Sequence, residues 1–76
     1  MKELVEYLVK SLAEHPEDVV LETREEDDTI TMELKISADD LGKIIGKNGN
    51  TINAIRTVLQ AAASSQKKRV KLDVVS

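Results

Sequence analysis

Met1, Leu4, Val5, Leu8, Val9 and Leu12 fall on one face at helical spacing, while Lys2, Glu3, Glu6, Lys10 and Glu14 lie mostly opposite. This pattern predicts an amphipathic helix. Pro16 closes it, because the residue before a proline is pushed out of the helical region, and His15–Asp18 reads as a loop. Val19–Thr23 and Thr29–Ile36 carry β-branched residues, and the second alternates strictly, with Ile30, Met32, Leu34 and Ile36 on one side. Arg24–Asp28 between them is polar, with turn-forming aspartates, and too short for a crossover, so the two strands should pair as an antiparallel hairpin. Leu41, Ile44 and Ile45 then recur at helical spacing behind Ser37 and Asp40, a Ser-x-x-Asp pattern that resembles a capping box with aspartate in place of glutamate. Ile52, Ile55, Val58, Leu59 and Ala62 mark a third helix. Ser64–Lys68 is a polar linker, and Arg69–Val74 alternates again as a third strand with Val70, Leu72 and Val74 inward.

The second and third helices are joined by Gly46-Lys47-Asn48-Gly49. So short a connection must turn sharply, and glycine reaches backbone angles at which a Cβ would clash. Missing side chains also let another backbone approach. The first N–H groups of the following helix, near Asn50 and Thr51, lack intrahelical partners, and the helix dipole adds partial positive charge there. With Lys47 projecting from the turn, this corner suits a phosphate or a phosphodiester backbone. Taken alone, two glycines describe only a tight turn between helices. Their context adds to that: Ile44-Ile45 precede the first glycine, Lys-Asn lies between the two, Ile52 follows three residues after Gly49, and Arg56 comes next. Together these residues resemble the K-homology (KH) signature, I-G-x-x-G-x-x-I.

The order helix, strand, strand, helix, helix, strand resembles the type II, prokaryotic KH fold, and the likeness covers nearly the whole chain. It implies an α+β fold, α-β-β-α-α-β, in which a three-stranded mixed sheet is backed by three helices and the second and third strands run parallel across the two-helix crossover. The size and the run Ala38–Lys47 are similar to the small bacterial single-KH RNA-binding proteins of the KhpA family. The resemblance implies a groove for about four nucleotides of single-stranded RNA or DNA. Gly46, Lys47, Asn48 and Gly49 would contact the phosphates; Ile44, Ile45, Ile52 and the second strand would form the apolar groove wall and its support; Lys43 and Arg56 would add charge at the rim. The resemblance further implies self-association, pairing with a larger KH-containing partner of the KhpB (Jag/EloR) type, and links to RNA regulation, RNA chaperoning, cell division and cell-wall control. The three isoleucines also have the ordinary reading of core residues.

At 76 residues the chain is expected to be one small domain, 1–76, with a single modest core. No apolar run is long enough to span a bilayer, and Met1-Lys2-Glu3 does not begin a signal peptide, so a cytoplasmic protein without membrane association is expected. The absence of cysteine fits a reducing compartment. His15 is the only histidine and Tyr7 the only aromatic residue; no acid–base pair, metal-ligand set or P-loop spacing is recognisable, so neither catalysis nor a cofactor is expected.

The formal charge of −3 is unusual for a nucleic-acid binder, but it is unevenly distributed. From Leu41 onward Lys43, Lys47, Arg56, Lys67, Lys68, Arg69 and Lys71 face a single anion, Asp73. This predicts weak, salt-sensitive binding through a locally basic edge. One KH unit reads few nucleotides, so a second module in another chain would raise specificity. That makes a protein–protein module the alternative function, with Ala54 and Ala61 broadening the apolar arc of the third helix as its candidate interface.

Overall fold

The computed structural model describes residues 1–76. Helix α1 spans Lys2–Leu12, strands β1 and β2 span Val20–Glu26 and Thr29–Lys35, helices α2 and α3 span Leu41–Ile45 and Asn50–Ser64, and strand β3 spans Arg69–Val75. Strands β1 and β2 pair antiparallel and β2 and β3 pair parallel, in the sheet order β1-β2-β3. This is the α+β arrangement the element order implies, a mixed sheet with its crossover running through α2 and α3.

Alternation places Leu21, Met32, Leu34 and Leu72 on the covered face of the sheet, where they join Val5, Val9, Ile44, Ile52, Ile55 and Leu59 from the helices in one core. Each such side chain, once fully buried, contributes about 1.5–3 kcal/mol through removal of apolar surface from water. The other sheet face is open, with Glu22, Arg24, Glu33, Lys35, Lys71 and Asp73 exposed.

Three local expectations change. The apolar arc of α1 is narrower than its spacing suggests: Val5 and Val9 are buried, whereas Leu4, Leu12 and Tyr7 remain 38%, 45% and 71% exposed. Five residues of strand were expected before the hairpin turn, yet β1 continues to Glu26 because its backbone stays in register with Thr29. The turn is therefore only Asp27-Asp28, with Asp27 at φ 51°, a left-handed angle that aspartate tolerates better than most residues.

Ser37 and Asp40 do not form the reciprocal capping box. The Ser37 hydroxyl accepts from the Asp39 N–H at 3.2 Å. The Asp40 carboxylate turns away from its own helix and accepts from the N–H groups of Glu14 and His15, at 2.8 and 2.9 Å. It is fully buried and ties the end of the α1 segment to the entrance of α2.

Candidate nucleic-acid interface

The turn between α2 and α3 is built from left-handed backbone. Gly46 takes φ 79°, ψ 173°, Asn48 φ 57°, ψ 26° and Gly49 φ 76°, ψ 12°. The Gly46 N–H donates to the Gly42 carbonyl at 2.8 Å, ending α2, and the Gly49 N–H donates to the Gly46 carbonyl at 3.2 Å, closing the loop. A Cβ on Gly46 would lie 2.3 Å from Thr51 Oγ1 and 2.8 Å from the Thr51 backbone nitrogen, so the start of α3 packs against the glycine itself. Lys47 and Asn48 are consequently held outward, both exposed, at the N-terminus of a 15-residue helix.

From this loop a polar stripe runs along α3. The Asn53 amide lies 3.5 Å from where a Gly49 Cβ would stand, and its Oδ1 accepts from Arg56 Nη1 at 3.4 Å. Arg56 also donates through Nε and Nη2 to the Leu72 carbonyl, at 3.2 and 2.9 Å. One turn later the Gln60 amide accepts from the Val70 N–H at 3.4 Å and donates to Ser64 Oγ at 3.2 Å. Arg56 and Gln60 thus satisfy two backbone groups on the outer edge of β3, which no further strand covers. Between α3 and that edge is an open cleft of about 480 Å³, lined by Arg56, Thr57, Leu59, Gln60, Val70, Lys71, Leu72 and Asp73.

The sequence-predicted residues are distributed as follows. Gly46, Lys47, Asn48 and Gly49 form the exposed loop, and Arg56 lies in the cleft that α3 makes with β3. Ile44 and Ile52 are 0% and 3% exposed and belong to the core behind the loop, while Ile45 is half-buried. Lys43 is ion-paired with Glu14 of the α1 segment, which partly neutralises it. The strand beside the cleft is β3 rather than β2, because both edges of β2 are occupied by neighbouring strands. Of the remaining late cations, Lys68 pairs with Glu25, whereas Lys47, Lys67, Arg69 and Lys71 have no ion-pair partner.

Gln60 was not singled out from sequence, Lys71 was read only as one of the late cations, and Asp40 only as part of a local cap. Gln60 was detectable, since it lies four residues after Arg56 and so on the same helical face. Asp40 lies below the ordinary aspartate pKa chiefly because the Glu14 N–H donates to its carboxylate, with the His15 N–H and the nearby His15 and Lys43 charges adding to this and burial opposing it. His15, Glu17 and Asp18 bring their ligating atoms within 4.8 Å of one another at the surface, without a link to the loop or the cleft.

The family described as KhpA/KhpB, KH domain, matches residues 2–74. The chain belongs to this family. KhpA relatives include the RNA-binding protein KhpA of Clostridium perfringens, 47% identical over 75 residues covering 99% of this chain and 100% of that protein. The RNA-binding protein KhpA of Halalkalibacterium halodurans is 44% identical and that of Chlamydia muridarum 45%, each again over 99% of this chain, covering 99% and 96% of those proteins. Their shared name is that of a binding protein rather than an enzyme. No helix of the chain is long and apolar enough to cross a membrane.

Proposed function

We propose that this chain is a single KH unit, residues 1–76, that binds single-stranded RNA by clamping its backbone with Gly46-Lys47-Asn48-Gly49. The observation that carries the reading is the continuity of the loop with a polar cleft: the left-handed turn presents Lys47 and Asn48 at the start of α3, and Asn53, Arg56 and Gln60 lead from there to the edge of β3. Phosphates would meet the loop N–H groups, the helix dipole and Lys47. Bases would lie toward the cleft, against Arg56 and the half-buried Ile45, with Ile44 and Ile52 supporting the wall from the core and Lys43 at the rim. The names of the KhpA relatives agree with this ligand. The biological role is post-transcriptional regulation or RNA chaperoning, together with a KH-containing partner tied to cell-division and cell-wall control.

The test compares the wild type with Lys47→Asp/Asn48→Asp on labelled single-stranded RNA pools at 50 and 200 mM salt. Two carboxylates then oppose phosphate while both glycines stay. The folded variant is expected to lose at least about tenfold in affinity at the lower salt, and wild-type binding to weaken as salt rises. Equal binding by the two proteins would leave the loop a structural turn.

A second reading, a protein–protein module, is favoured by one observation. Ala54, Val58 and Ala61 lie exposed along one face of α3, with Val58 48% exposed. Such a face suits self-association or pairing with a KhpB-type chain. Ala54→Arg/Ala61→Arg is expected to lower the mass in solution to that of a monomer while leaving the circular dichroism spectrum intact; an unchanged mass with an intact fold removes this face from consideration.

A further inference from the structure

We propose that the nucleic-acid path does not end in the cleft but continues past β3 onto the open face of the sheet, where Lys71, Thr31 and Arg24 receive its phosphates. This rests on the RNA-binding reading above and extends its footprint. The pairing register aligns Arg24 with Thr31 and Thr31 with Lys71, so the three side chains form one row across all three strands. Alternation puts that row opposite the core face carrying Met32 and Leu72. Lys71 also lines the cleft beside Arg56, so the row begins where the cleft ends. At its other end, Arg24 and Thr31 together line two depressions on the open face, one shared with Glu22 and Glu33 and the other with Glu26 and Asp27.

Charge supports the direction. On the same face Lys35 is committed to Glu22 and Glu33, at 3.4 and 3.9 Å. Arg24 and Lys71 have no such partner, nor does Arg69 one row further along β3. A threonine hydroxyl between two uncommitted cations is a suitable donor to a phosphodiester oxygen. The adjacent row, Glu22, Glu33 and Asp73, is acidic in all three strands and repels a backbone that strays to that side. Glu26 and Asp27 border Arg24 beyond the row and close the path there. The face therefore admits phosphate along one line.

The experiment measures affinity for random RNA tetramers and octamers. It uses the wild type, Arg24→Gln/Lys71→Gln, and Lys2→Gln/Lys10→Gln, which removes the same charge from helix α1, away from the row and the cleft. The clamp variant Lys47→Asp/Asn48→Asp serves as reference. With two phosphate contacts removed, the log–log salt slope on octamers should fall by about 1.4, so that going from 50 to 200 mM salt costs the wild type about sevenfold more affinity than the row variant. Tetramers can reach Lys71 at the end of the cleft but not Arg24, so on them the row variant should lose no more than about 0.7 of slope, half its octamer loss. Equal losses on the two pools would end the extension; the charge control should keep the full octamer slope. An unchanged octamer slope in the row variant, or an equal loss in the charge control, overturns the extended path while leaving the clamp standing. If the wild type binds neither pool, the RNA-binding reading itself fails, and the extension with it.

Discussion

Gly46→Ala is expected to destabilise the fold by about 2–5 kcal/mol, since it adds backbone strain and overpacking at one position. The new methyl would sit 2.3 Å from Thr51 Oγ1 and 2.8 Å from the Thr51 nitrogen. A hydroxyl could rotate aside, but the backbone nitrogen cannot move without shifting the first turn of α3. A φ of 79° with ψ 173° also lies in a region nearly closed to residues with a Cβ. The other glycines provide the comparison. Gly49 has φ 76° but meets only the Asn53 amide at 3.5 Å, so Gly49→Ala should cost about 1–2 kcal/mol, the left-handed penalty alone. Gly42 lies inside α2 with nothing within 4 Å of its missing Cβ, and Gly42→Ala should stabilise by roughly 0.5–1 kcal/mol. Thermal unfolding of the three variants checks the order; Gly46→Ala melting as high as Gly49→Ala would mean that the loop relaxes around the methyl.

Asp40→Asn is expected to lower the melting temperature by on the order of 10 °C. The aspartate is fully buried and uses both carboxylate oxygens, one for the Glu14 N–H and one for the His15 N–H. An amide has a single acceptor oxygen, so one backbone donor loses its partner and an NH₂ group faces it instead. The pH dependence follows from the lowered pKa, for which the Glu14 N–H bond is the leading cause. Above the unfolded-state value near 4 the native carboxylate is ionised and its contribution to stability is complete. As pH falls through the lower native value, the proton binds both states and that contribution disappears. The gap between wild type and Asp40→Asn should therefore be constant above about pH 5 and narrow in stronger acid. A gap that stayed constant down to pH 2 would show that the carboxylate charge contributes nothing to the tether.

Most of the fold was legible because periodicity is a local signal. Strict alternation in Ile30, Met32, Leu34 and Ile36 and the 3.6-residue recurrence through Ile52, Ile55 and Leu59 each report burial on one side of a single element, and all seven are buried or half-buried. The turn between α2 and α3 was legible for a different reason: glycine at Gly46 and Gly49 records backbone angles that few other residues accept. Asp40 left no such mark. Its partners are backbone N–H groups about 25 residues earlier, which carry no side-chain identity, so a Ser-x-x-Asp spacing suggested a local cap where the actual bonds are long-range. The same holds for Arg56, whose acceptor is the Leu72 carbonyl. Its charge was visible in the sequence; the bond that fixes its position was not. Strand β1 ran past its apolar residues to Glu26 because the register with β2, rather than hydrophobicity, sustains its last turn-ward pairs.

The Arg56 tether also changes the thermodynamics of any ligand that meets it. A free arginine side chain has about 2 kcal/mol of rotamer entropy, much of which an anion must take away when it binds. Here two guanidinium nitrogens already donate to Leu72 and a third to Asn53, so that freedom is given up when the chain folds. The cation waits in one orientation at the mouth of the cleft, and binding to it should be marked by a small ordering entropy rather than by the large one typical of a surface arginine.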